Sequence, residues 1–298
     1  MTPERQEHVS EKSTTHFRQL RLILKRLRRN TLSFAAGIVI LAITLMAICA
    51  PLLAPYDPNA TDANQALQSV SRQHWMGTDI FGRDILSRVI FAARVDLLIA
   101  LVATLIALAL GSFLGSISGY SGGWVDHLVM RIVDTVMSFP SFILAMGITA
   151  AMGNKLTNVV IAIAITHVPI YTRLIRGEML HIREMEYAEA ARTVGNPRSR
   201  IIHYHLLPNC FPPVIVQATL AMGWAILTVA GLSFIGLGIQ PPASEWGYMT
   251  AEGATYIVSG EWWIFLFPGL AIMITVLCFN MVGDALRDVL DPRMRGLR

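Results

Sequence analysis

Charge is what this 298-residue chain has least of: Asp, Glu, Lys and Arg make up 15% of it, against 54% hydrophobic residues. An ordinary soluble domain carries roughly a quarter charged residues. The deficit falls in long blocks, which excludes a disordered chain, a collagen-like chain and a string of ordinary soluble domains. Cysteine is scarce too. Cys49, Cys210 and Cys278 show neither C-x-x-C spacing nor an even count, so neither a zinc site nor a disulfide framework is implied. Missing as well are an H-E-x-x-H zinc helix and a G-x-x-x-x-G-K-[ST] phosphate loop; Gly153-Asn154-Lys155 runs straight into Leu156. The composition is that of an integral membrane protein that carries no catalytic or metal-binding signature.

A helix crosses the hydrocarbon with about 20 mostly apolar residues, its backbone polar groups satisfied internally. Six stretches qualify: 33–53, 97–119, 130–152, 156–174, 213–238 and 262–282. The expected architecture is all-α with six transmembrane helices. The first stretch is too long for a signal-peptide core and follows a basic tail over 1–32, and Met46-Ala47-Ile48-Cys49 has bulky Ile48 where a lipoprotein cleavage box needs a small residue. It reads as a retained anchor.

With the N-terminus in the cytoplasm, nineteen of the 24 Lys and Arg residues fall in inward segments and five in outward ones (Arg72, Arg83, Arg88, Arg94 and Lys155). Both termini are therefore expected to be cytoplasmic, with a C-terminal tail over 284–298. The basic N-terminal tail, directly before a span, reads as a topology signal and lipid-surface anchor rather than a nucleic-acid arm.

Two connections are long. The outward segment 54–96 ends in Asp84–Arg94, where Ile85, Leu86, Val89, Ile90 and Ala93 recur at helical spacing, predicting a short helix on the membrane surface. Asp79 and Asp84 within it fit turn and N-cap chemistry better than metal ligation. The inward segment 175–211, set within a five-helix core spanning 97–283, is the informative one. Leu180, Tyr187 and Ala191 share one helical face, Glu189 and Arg192 are spaced to support each other, and Gly195-Asn196-Pro197 stops the helix. A second short segment, 199–207, runs to Pro208, and Pro212-Pro213 opens the next span. The small residues Ala188, Ala190, Ala191 and Gly195 suit either a helix seated in another protein's groove or one folded against its own bundle. Composition alone leaves both open.

The spans offer further features. Pro140, Pro169 and Pro268 permit kinks, and Gly111-x-x-x-Gly115-x-x-x-Gly119 lets a neighbouring helix approach closely. His167, Gln217 and Asn280 are polar at membrane depth and are candidates for lining a translocation path, each with the alternative of a bond to a neighbouring helix. Asp134 is placed to pair with Arg131 within its own helix. Trp246, Trp262 and Trp263 fit an outer aromatic belt, with Glu245-Trp246 also a candidate contact for an external partner.

Glu189-Ala190-Ala191, then Gly195, then His205-Leu206-Leu207-Pro208 resembles the EAA loop of ABC-importer permeases, apart from His205 where the family favours Ile. Four further blocks resemble the DppC/OppC branch, the second permease of dipeptide, oligopeptide and nickel importers. The first is Gly77-Thr78-Asp79-x-x-Gly82-Arg83-Asp84-x-x-Ser87-Arg88. Then come Leu232-Ser233-Phe234-x-Gly236-Leu237-Gly238-x-Gln240-Pro241-Pro242-x-x-Glu245-Trp246-Gly247, and Phe267-Pro268-Gly269-Leu270-Ala271-Ile272. The last is Asn280-x-x-Gly283-Asp284-x-Leu286-Arg287-Asp288-x-Leu290-Asp291-Pro292, with Ala285 where the family usually has Gly.

The resemblance implies a type I ABC importer (MetI-like) permease fold in a bacterial inner membrane. It also implies a homologous DppB/OppB-type permease, two ATPase subunits that hold ATP and Mg, and an extracytoplasmic solute-binding protein as partners. This chain would bind no cofactor and catalyse nothing. Peptides would be the cargo; nickel chelates, glutathione and D,D-dipeptides use closely similar permeases. The ATPase-coupling residues would be Tyr187, Ala188, Glu189, Ala190, Ala191, Arg192 and Gly195, a short rigid lever, with Glu189 pairing to a basic ATPase residue or capping the helix. A secondary transporter would need ionisable groups within the spans, which offer little beyond Asp134 and His167. A membrane-embedded enzyme finds no paired intramembrane Asp or Ser/Lys dyad in the spans.

Overall fold

Long apolar blocks dictate long helices, and the computed structural model, which describes residues 31–290, is helical throughout its spans. In chain order α1 is Thr31–Ile48, α2 Ala50–Leu53, α3 Ile85–Ser121, α4 Gly123–Met137 and α5 Ser141–Met152. They are followed by α6 Leu156–Ile182, α7 Glu186–Thr193, α8 Arg198–Phe234, α9 Trp246–Ala254 and α10 Trp262–Leu290. Five of these are long and apolar enough to cross a membrane, and α4 with α5 makes a sixth when taken as one bent span. Most of the basic N-terminal tail and the chain from Asp291 onward lie outside the described residues.

α3 and α6 form the centre. The glycine repeat is the reason they can: a methyl at Gly111 would lie 2.4 Å from Tyr171 Cβ, at Gly115 2.5 Å from the Thr172 carbonyl, and at Gly119 2.8 Å from Met179 Cβ. Only residues without a side chain let these backbones meet. α8 and α10 pack beside this pair. α1 buries little, and Leu32, Ile38, Leu41, Leu45 and Ile48 face outward as a lipid-facing surface would.

Several sequence expectations are corrected. The predicted surface helix over 84–94 is the first three turns of α3, continuous with the span, because nothing between Asp84 and Ser121 breaks it. The predicted third span, 130–152, is bent by 87° at 138–140. Pro140, which has no N–H to donate, sits at the N-cap of α5, and α4 turns away from it. Before Pro208 the chain was expected to end a short helix; instead α8 runs from Arg198 through Pro208, Pro212 and Pro213 to Phe234. A wide π turn at Ile201–Leu206 sits just ahead of the first proline and absorbs the broken register. Asp134 does not pair within its helix: its Oδ1 accepts from Arg173 Nη2 at 2.6 Å, on α6.

The segments 54–84 and 236–261 meet at one end of the bundle and form a cap. α7 lies at the opposite end.

Candidate functional site

α7 is a separate short helix, not an extension of α6. Leu180 therefore does not share its face; the chain turns at 183–185 and restarts at Glu186. Ala188 and Ala191 are buried against the π turn, Ala188 completely, so the small residues do pack on the bundle. The packing alternative weighed above is met on one side of the helix. One face of α7 is docked on its own protein, and the opposite face presents Glu186, Glu189, Ala190 and Thr193 to the surroundings.

The C-terminus closes as the sequence predicts. Gly195 has φ of 81°, its N–H donates to the Arg192 carbonyl at 2.9 Å, and the Asn196 N–H reaches the Ala191 carbonyl at 3.4 Å. This pair of bonds is the Schellman arrangement, and the left-handed residue in it is best met by glycine. Arg192 is not held by Glu189. Its Nη2 donates to the Arg183 carbonyl at 2.7 Å and its guanidinium lies 5.9 Å from the Tyr120 ring centroid, so it points back toward the end of α3. Tyr187 is 42% exposed at the other flank of α7; its hydroxyl accepts from Asn209 Nδ2 at 3.4 Å, and partial burial pushes its phenol pKa up.

The three residues predicted for a translocation path are not brought into one cluster by any hydrogen bond. His167 Nδ1 lies 2.9 Å from the Ile163 carbonyl of its own helix. Asn280 sits where α10 meets α8, its Oδ1 3.6 Å from the position of a methyl at Gly223. It contributes the one amide to an apolar groove of about 460 Å3 lined by Leu227, Ile272, Met273, Val276 and Leu277. Gln217 is half-buried on α8.

The cap holds a constellation that sequence reasoning underestimated. Asp79 Oδ1 accepts from the Phe81 and Arg83 N–H groups at 2.8 and 2.9 Å, and its Oδ2 accepts from Arg83 Nε at 2.6 Å and from Arg88 Nη1. Glu252, from α9, meets Arg88 Nη1 at 3.4 Å and Arg83 Nη2 at 3.6 Å. Asp84 caps α3 through the Ser87 N–H at 2.7 Å and holds His74 Nδ1 at 2.9 Å. Asp79 and Asp84 thus do turn and N-cap work, and among the described residues no metal-binding cluster is present.

Glu245 and Trp246 are not a contact surface. Glu245 is 0% exposed, its carboxylate accepting from the Gly247 and Tyr248 N–H groups at 2.6 and 2.7 Å as the N-cap of α9. Trp246 is 1% exposed; its indole N–H donates to the Val89 carbonyl at 3.0 Å and its backbone N–H to Asp96 Oδ2 at 3.1 Å. Trp263 is likewise buried, with its indole on the Thr78 carbonyl at 3.1 Å. Of the three predicted belt tryptophans only Trp262, 49% exposed, fits that role. The motif blocks carrying Asp79, Arg83, Arg88 and Glu245 were the available signal. Glu252 lay outside every block.

Residues 111–296 match the family model described as a binding-protein-dependent transport system inner membrane component. Residues 18–69 match the N-terminal TM domain of oligopeptide transport permease C. The dipeptide transport system permease protein DppC of Alkalihalophilus pseudofirmus is 45% identical over 295 residues, covering 99% of this chain and 97% of that protein. The probable D,D-dipeptide transport system permease protein DdpC of Escherichia coli is 43% identical over 296 residues, 99% of each chain. The glutathione transport system permease protein GsiD of Pectobacterium atrosepticum is 39% identical over 272 residues, 91% of this chain and 90% of that one. Among solved structures, an inward-facing form of the MetNI methionine ABC transporter superposes with a TM-score of 0.55 at 18% identity, over 68% of this chain and 96% of that chain, and shows the shared fold. The chain belongs to the binding-protein-dependent transport system inner membrane components and is a multi-pass permease of the DppC/OppC type.

Proposed function

We propose that this permease pairs with a homologous DppB/OppB-type permease to form the path for di- or oligopeptides delivered by an extracytoplasmic solute-binding protein. The import would be driven by two ABC ATPase subunits that carry the ATP and Mg. Both termini and α7 face the cytoplasm in this reading, and the cap faces outward. The 45% identity to a dipeptide permease supports peptide cargo. D,D-dipeptides, glutathione or nickel chelates would use the same architecture, and affinity measurements on the binding protein would distinguish them.

The observation that carries the reading is the two-faced α7. Ala188 and Ala191 anchor it, while Glu186, Glu189, Ala190 and Thr193 are free to enter a groove of another protein. A helix seated in this way moves as a rigid body when the groove moves, and the turns at 183–185 and Gly195 isolate it from the spans. Glu186 and Glu189 suit a groove that carries basic side chains. Arg192, turned toward Tyr120, braces α7 from behind rather than entering that groove. His167, Gln217 and Asn280 are assigned to the path lining, Asn280 through its place in the groove between α8 and α10.

The test is a single cysteine at Ala190 in the assembled importer, paired with cysteines across the ATPase surface. Disulfide formation that changes with ATP supports the lever. Labelling of position 190 from the outer compartment, with no ATPase cross-link, would refute it.

A further inference from the structure

Behind α7, on the flank away from its acidic face, three arginines converge. A hollow of about 290 Å3 is lined by Tyr120 and Ser121 at the end of α3, by Arg183 and Glu184 in the turn before α7, by Arg192 on α7, and by Arg198 at the start of α8. Arg183 Nε donates to Glu184 Oε1 and Nη1 to the Gly119 carbonyl, each at 2.9 Å. Arg192 spends only Nη2, on the Arg183 carbonyl. Arg198 is exposed, and among the described residues its guanidinium has no partner. Three guanidinium groups therefore face one carboxylate, with several N–H donors still turned to open space.

This surplus of positive charge sits at a defined depth. Ser121 ends one spanning helix and Ile182 ends another, so the hollow lies at the same end of both. Trp124, 76% exposed on the next helix, is the residue type that seats at headgroup level. Guanidinium forks match phosphate oxygens in a bidentate manner. An acidic side chain from an ATPase is the other candidate anion, but the face of α7 that projects from the bundle carries Glu186 and Glu189, and the hollow lies off that face, between α7 and the end of α3.

We propose that this hollow binds the phosphate of an anionic phospholipid, and that the bound headgroup ties Arg183, Arg192 and Arg198 into a brace that holds α7 on the bundle. The inference rests on the reading of α7 as cytoplasmic only in naming the leaflet, the inner one. The ligand and its recognition follow from the arginines themselves.

The test uses the whole importer in nanodiscs of phosphatidylcholine alone or doped with phosphatidylglycerol. Native mass spectrometry counts retained phosphatidylglycerol, and ATP-driven uptake is followed in matching vesicles. Phosphatidylglycerol should be retained by the unmodified importer and raise its coupled uptake. Arg198→Gln should weaken that retention roughly fivefold, the effect of one cation near a membrane surface, while Arg198→Lys retains most of it. Equal retention by Arg198→Gln would overturn the proposal. So would displacement of the lipid by inorganic phosphate, which would mark a soluble-anion site, or a cross-link from position 198 to an ATPase subunit. Lipid retention is read without ATP, so its failure leaves the cross-linking test of Ala190 unaffected.

Discussion

The indole N–H of Trp246 donates to the backbone carbonyl of Val89 at 3.0 Å, joining the first helix of the core to a segment 157 residues away in sequence. Around this bond the cap is assembled from two loops that have no local reason to meet. Removing only the bond should be mild. Trp246→Phe should cost about 1 kcal/mol, since one neutral hydrogen bond contributes about that much. Trp246→Ala should cost about 3–5 kcal/mol through the cavity it leaves. Amide exchange across Trp246–Ala254 in the purified importer reads both, and similar effects from the two variants would show that the indole N–H, not its bulk, fixes the cap.

Arg88 is nearly fully buried between Asp79 and Glu252. Breaking a buried pair from one side leaves an uncompensated charge and costs about 3–5 kcal/mol. Arg88→Met should reach that range and loosen α9. Glu252→Gln should cost less, because its contacts at 3.4 and 3.6 Å are longer than those to Asp79. Limited proteolysis of residues 236–261 gives the order, and a larger effect from Glu252→Gln would contradict it.

Two glycines inside helices, Gly115 buried and Gly147 exposed, should respond in opposite ways. A side chain at Gly115 would meet the Thr172 carbonyl at 2.5 Å, whereas nothing lies within 4 Å of a methyl at Gly147. Gly115→Val should separate α3 from α6 at a cost of about 1–3 kcal/mol or more. Gly147→Ala should be neutral or stabilise α5 by up to about 1 kcal/mol. Thermal unfolding in detergent separates them.

Gly195 has open space for a side chain, so its requirement is conformational. Gly195→Val forces a β-branched residue toward left-handed backbone, at about 1–2 kcal/mol or more, and should fray α7 at its end. Insertion of the spans should be unaffected while ATP hydrolysed per peptide imported rises. Gly195→Asn, which tolerates this conformation, should keep coupling. Normal coupling in the valine variant would sink the lever.

Much of this was legible in the residues. Span count, the Gly111-Gly115-Gly119 seam and the stop at Gly195 follow from apolar run length, small-residue spacing and glycine's backbone freedom, all of which are local signals. The cap was not legible, because burial of Trp246 and Glu245 depends on contacts with Val89 and Asp96, far away in sequence. A tryptophan beside a span has the same sequence signature whether it is left exposed, as Trp262 is, or packs into a core, as Trp263 does. The prolines were legible in part: Pro140 bends its span, as its missing N–H allows, but Pro208 is tolerated because a π turn precedes it. The exposed face of α7 was half legible, since the alanine spacing located the helix while the direction taken by Arg192 required Tyr120 and Arg183 in place.

The elbow at 138–140 has one more consequence. At 1.5 Å per residue, the twelve residues of α5 reach about 18 Å, well short of a hydrocarbon layer about 30 Å thick. The short helix therefore needs α4 to complete its crossing, and around the elbow Phe139, Phe142 and Ile143 are uncovered. Covering that stretch falls to whatever lies alongside α5.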